Sequence, residues 1–168
     1  RAPMVAGKAL AEARQYDQSA LWLREASKRA PNWNQPAIEL GLLQMQAGRD
    51  EEAQQALERA FKLDPFNVRA GNSLVLLKDL RTYARAESDH FIVRAKPGLD
   101  EALATEMLPV LENMFQIVTG GAPGDGKPGL RHVPKNKTLI DLAPNHAQFA
   151  VRITRFGRVH TIAASTGP

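Results

Sequence analysis

"AGRDEEAQQALERAFKLDP" (residues 47–65) decides how the rest of this chain is read. Gly48 supplies a turn. Asp50, Glu51 and Glu52 then place negative charge where a helix dipole favours it, and Pro65 ends the run because it cannot continue the hydrogen-bond ladder. Asp50 is the expected N-cap. Ala53, Ala56 and Ala60 put small residues on one side, so a second helix can approach closely with Leu57 in the seam.

Shifting the chain by 34 residues shows that this stretch has a counterpart. "EARQYDQSALWLREASKRAP" (12–31) overlays "QAGRDEEAQQALERAFKLDP" (46–65). Pro31 falls on Pro65, Ala26 on Ala60, Leu23 on Leu57, Ser19 on Ala53 and Gly7 on Gly41. A fixed period of this length is the signature of stacked helical hairpins. The expectation is antiparallel helix pairs over residues 1–84, with Leu23, Leu40 and Leu57 buried and Gly41 against a neighbouring helix. A third unit begins at Val68, where Leu74, Leu77 and Leu80 form a helical stripe, but no second helix follows it.

Leu40-Gly41, Ala53, Leu57, Ala60 and Pro65, and more loosely Gly7, Leu10, Ser19, Leu23, Ala26 and Pro31, resemble the tetratricopeptide repeat. The resemblance covers residues 1–84 and implies a protein-binding scaffold whose first helices line a concave face. On that reading the candidate partner-binding face is Asn34, Glu39, Gln44, Lys78 and Arg81, and the partner is a protein or peptide. The other reading of the repeats is that they only brace the domain that follows.

The pattern changes at Ala84. "SDHFIVRA" (88–95) alternates as a strand, and "PGLDEALATEMLPVLENMFQIVTG" (97–120) places Leu99, Leu103, Met107, Leu111, Met114 and Val118 at helical spacing, with Pro109 inside. "GGAPGDGKPG" (120–129) is a loop by composition. "KTLIDLAP" (137–144) reads as a strand, "NHAQFAVRIT" (145–154) as a short helix capped by Asn145, and "RVHTIAAST" (158–166) as a further strand. The fold class is therefore α plus α/β: repeat hairpins over 1–84, then a small, incomplete β-α-β-α-β domain over 85–168.

"ESDHFIVRAKPG", "KNKTLIDLAPNHAQFAVRIT" and "VHTIAASTGP" are similar to the opening of a gluzincin zinc-metallopeptidase domain of the "peptidase MA" type. The resemblance implies framework strands that precede a catalytic helix bearing H-E-x-x-H, and a bacterial extracytoplasmic location. H-E-x-x-H does not occur in residues 1–168. On this resemblance zinc belongs to a longer parent protein, its catalytic helix beyond Pro168, and this chain carries no cofactor of its own. The first residues read as mid-helix and the last as an unclosed "STGP", so both ends are expected to be boundaries within a longer chain.

Chemistry-bearing residues are sparse. The 168 residues contain no cysteine, which excludes a disulfide framework and thiolate metal sites. His90, His132, His146 and His160 form no i, i+4 pair, whereas a helical zinc motif needs two imidazoles on one face and a carboxylate base. They read as structural or surface residues. "GAPGDGKP" (121–128) begins like a phosphate loop and fails at Pro128, which lacks the hydroxyl that would hold a cation. Ser165 and Thr166 lack a nucleophile-elbow setting, and Asn136-Lys137-Thr138 is a glycosylation sequon. No catalytic, cofactor-binding or metal residue is assigned.

The net charge is +4, with seven Lys/Arg and one acid from Lys127 onward. That basic segment reads as a solvated face, without the aromatic interleaving of a nucleic-acid surface. No apolar run is long enough to span a membrane. Two readings stand: a non-catalytic interaction or scaffold module, or a fragment of a zinc peptidase. They agree about this chain and differ about its parent.

Overall fold

A computed structural model describes residues 1–120, 128–130, 133–134 and 136–154. Among these, seven helices and one three-stranded sheet follow in the order α1 (Ala2–Glu12), α2 (Tyr16–Arg29), α3 (Gln35–Gln46), α4 (Asp50–Leu63), α5 (Val68–Leu80), β1 (Ala84–Glu87), β2 (Phe91–Ala95), α6 (Leu99–Gly120), β3 (Thr138–Asp141) and α7 (His146–Thr154). The chain is thus mostly helical with a small sheet. It divides into two units, one formed by Arg1–Arg81 with the segment from His146, the other by Thr82–Asn145.

In the helical unit α1 pairs with α2 and α3 with α4, and the turns inside the two pairs match. Arg14, with φ 59°, and Gly48, with φ 71°, both turn the chain in the left-handed region. Gln15 N–H reaches Leu10 C=O at 2.9 Å, and 34 residues later Arg49 N–H reaches Gln44 C=O at 2.9 Å. These bonds satisfy carbonyls that a helix end leaves open. Arg14 takes the position without glycine's freedom, so the first turn carries a backbone cost that the second avoids.

Close approach at the seams explains the two matched glycines. A Cβ on Gly7 would lie 2.8 Å from Leu23 Cγ, and one on Gly41 would lie closer still to Leu57 Cγ. Leu23 and Leu57 are both fully buried. Ser19 Oγ donates to Gly7 C=O at 2.7 Å, a buried bond that its counterpart Ala53 cannot make. Met4, Ala20, Leu23, Ala26 and Leu43 form a core against which the half-buried Leu40 packs, so Leu40 is less enclosed than the sequence suggests.

Two expected details differ. Asp50 is the first residue of α4, with Arg49 at the N-cap and no side-chain capping bond. Its charge serves the dipole rather than the cap. The capping bond expected there is found instead at α5, where Asn67 Oδ1 accepts from Ala70 N–H at 3.1 Å.

In the Thr82–Asn145 unit, β1 and β2 form an antiparallel hairpin, and β3 adds to β2 in parallel after the α6 crossover. A parallel neighbour requires such a crossover. Val93, Ala95 and Ala104 are the buried centre, with Ala86, Leu108, Leu111, Ile140 and Leu142 packed around them. Arg94 and Asp141 are register partners and join β2 to β3 through two bonds of 2.6 and 3.0 Å. The strand expected over 88–95 begins only at Phe91, because residues 88–90 turn the hairpin, closed by Ser88 N–H to Phe91 C=O at 3.0 Å. α6 runs continuously through Pro109. The helix expected at 145–154 is α7, and it packs on α5 in the helical unit. The strand expected at 158–166 lies outside the described residues.

Candidate docking groove

The first helices of the hairpins, α1 and α3, together with α5, line a groove of about 260 Å³. Lys8, Ala11 and Glu12 come from α1, Glu39, Leu42, Leu43 and Gln46 from α3, Arg69 from α5, and Ile153 from α7, with Leu23 reaching in from α2. The repeat builds this lining directly: Lys8 and Leu42, and Glu12 and Gln46, are 34 residues apart. Leu23, Leu42 and Leu43 back the groove while staying almost wholly buried, and charged heads stand around it. Glu39 Oε1 accepts from Gln35 Nε2 at 2.7 Å and from Arg69 at 3.3 Å, so its carboxylate is held in place across α3 and α5. Such a surface suits a segment with one apolar side and polar flanks. A second hollow lies on α4 alone, bounded by Gln55, Glu58, Arg59, Lys62 and Leu63.

The residues expected to form the partner face are not brought together. Only Glu39 lies in the groove. Gln44 is 1% exposed, packed inside the hairpin stack, and its Oε1 is 3.5 Å from the Arg49 guanidinium. Asn34 donates from Nδ2 to Asp64 Oδ2 at 3.0 Å, tying the start of α3 to the turn between α4 and α5. Lys78 and Arg81 are exposed near the end of α5, away from the groove lining. The groove lining also holds Lys8, Glu12, Gln46 and Arg69, which the sequence reading did not single out. Carrying Glu12 forward by one repeat to Gln46 is the sequence signal that finds this lining.

A second polar cluster lies in the Thr82–Asn145 unit. Glu112, on α6, accepts from Ser88 Oγ at 2.6 Å and from His90 N–H at 2.8 Å, and its other oxygen is 2.7 Å from His90 Nδ1. The His90 ring stacks on Phe115 at 3.8 Å. The Ser88 hydroxyl bond, then the His90 side-chain and backbone bonds, hold the Glu112 carboxyl down at about 2. Ser, His and Glu are the residue types of a hydrolytic triad, but the hydroxyl donates to the carboxylate. A triad needs it on the imidazole, so no base activates Ser88. The cluster latches the β1–β2 turn onto α6. Sequence reading missed it because Glu112 is 22 positions from His90.

His146 opens α7, as expected, and His132, His160, Ser165, Thr166 and most of the 121–128 loop lie outside the described residues. Among the described residues no group of three or more His, Cys, Asp or Glu side chains could hold a metal ion. No described helix is long and apolar enough to cross a membrane. Compared with known proteins, the chain matches no family model, no curated protein and no solved structure.

Proposed function

We propose that this chain is a non-catalytic docking module: a tetratricopeptide-type scaffold that takes a protein or peptide segment in the groove between α1, α3 and α5. The observation that carries this reading is the groove itself, backed by the buried Leu42 and Leu43 and rimmed by Lys8, Glu12, Glu39 and Arg69. The Thr82–Asn145 unit has the role of a framework domain of the gluzincin type. The α6 crossover from β2 to a parallel β3, on the stretches that carry that resemblance, supports it.

The test is selection of binding peptides from a random library on the full chain, followed by calorimetric titration of the best of them. Gln46→Trp, at an exposed groove position, should block the groove and abolish binding without disturbing the helical circular dichroism. Failure to select any peptide, or binding that Gln46→Trp leaves unchanged, contradicts the proposal.

A further inference from the structure

We infer that the outward side of α6 is a docking seam for a helix of another protein, one that carries an apolar heptad stripe with Lys or Arg beside it. The seam belongs to the Thr82–Asn145 unit, so it is independent of the groove reading and can fail without it.

Leu103, Met107, Val110, Met114 and Ile117 follow one another at intervals of four, three, four and three residues. That spacing keeps one line of side chains facing a partner helix over two heptads. The inward side of α6 has its own line, one residue on. Ala104, Leu108 and Leu111 pack into the sheet core, and Phe115 is half-buried with the His90 ring stacked on it. Neighbouring residues on a helix stand about 100° apart, so the sheet covers the second line and leaves the first. Leu103, Val110 and Met114 are each more than half exposed, and Ile117 is exposed as well. Leu99 and Val118 lengthen the patch at its two ends. Contiguous exposed apolar patches with a polar border mark interaction surfaces.

Charge names the partner. α6 carries Asp100, Glu101, Glu106 and Glu112 and no Lys, Arg or His, although Lys and Arg make up 22 of the 168 residues. Glu112 is held by the Ser88–His90 turn. Asp100 falls on the seam one heptad before Met107, and Glu106 borders it. A second copy of α6 laid parallel would set these acids against their own kind. Laid antiparallel, it would set them against the negative end of the other helix's dipole. A helix with basic residues at the flanking positions meets neither penalty, and such flanking charges select partners in paired helices.

The probe is a fluorescent three-heptad peptide with leucine at both seam positions and lysine at both flanking positions. Its twin has glutamate in place of lysine. Titrated on the full chain, the lysine peptide should bind at least about tenfold tighter than the glutamate peptide. Net charge alone favours the opposite order, because the chain is +4. Val110→Glu, at an exposed position, should abolish binding while the Glu112 bond to the His90 amide, read by NMR, stays intact. Glu106→Lys should reduce the preference for the lysine peptide at least about threefold. Binding of neither peptide, equal binding of the two, or binding that Val110→Glu leaves unchanged overturns the inference. A benzophenone side chain in place of Val110 identifies the occupant by photo-crosslinking. Attachment to the lysine peptide agrees with the inference. Attachment to a second copy of the chain, or to residues 155–168 of the same chain, overturns it.

Discussion

Adding one methyl group at Gly41 sets two helix effects against each other, and the geometry says which wins. Alanine in place of glycine inside a helix favours folding by about 1 kcal/mol. Here the new Cβ would lie 2.9 Å from Leu57 Cδ2, closer to Leu57 Cγ, and 3.2 Å from the Ala53 carbonyl oxygen. Leu57 is fully buried, and Cγ is its branch point, so it has no free end to swing away. The α3–α4 seam must open, at an overpacking cost of roughly 1–3 kcal/mol and more where the backbone has to shift. Gly41→Ala should therefore lose up to about 2 kcal/mol net, and more where the backbone has to shift. Gly71→Ala on α5 is the control, because its Cβ would meet only Phe61 Cε2 at 3.5 Å, an ordinary contact. It should gain about 0.5–1 kcal/mol. Trp22 and Trp33 are the only tryptophans and both lie in the Arg1–Arg81 segment, so their fluorescence in urea follows the helical unit alone. Equal urea midpoints for Gly41→Ala and Gly71→Ala would refute close packing at the repeat seam.

Glu112 should titrate by carboxyl NMR with a midpoint near 2 rather than its ordinary 4.5. A carboxyl whose value is depressed on folding stabilises the fold above the ordinary value, so protection of the His90 amide should be lost as pH falls from 4.5 toward 2; a midpoint near 4.5 would contradict the latch. Asn67→Ala removes the α5 cap and should cost about 1 kcal/mol in the same urea assay, and no change would argue against that bond. Arg94→Met leaves Asp141, whose side chain is 14% exposed, without its register partner's two bonds. It should destabilise the Thr82–Asn145 unit by roughly 2–4 kcal/mol, read as faster amide exchange in β2 and β3; unchanged exchange would count against the pair.

The repeat was legible because it is written twice. Gly7 and Gly41, Leu23 and Leu57, and Pro31 and Pro65 mark the same seams and ends at one period, and α2 and α4 are offset by 34 residues at both ends. β1 was not legible. Its sequence "ARAE" is four residues of helix formers, and it is a strand only because Ala84–Glu87 pair with Ile92–Ala95. The assignment of α7 to a neighbourhood was equally hidden, since an amphipathic nonamer states which face is apolar and not what will cover it. The groove was half legible. Glu39 was found, but Gln44 was placed on the open side although α3 is flanked by α2 and α4 and buries it. A polar residue inside a stack of helices looks, in sequence, like any surface residue.

Chemical-shift mapping on the full chain, titrated with a peptide selected for binding, tests the docking claim most directly. The account predicts that the perturbed amides cluster at Lys8, Glu12, Glu39, Gln46, Arg69 and Ile153, on the three helices that line the groove and on α7. Perturbations centred instead on Glu58, Arg59 and Lys62, around the hollow on α4, with the groove amides unmoved, would contradict it.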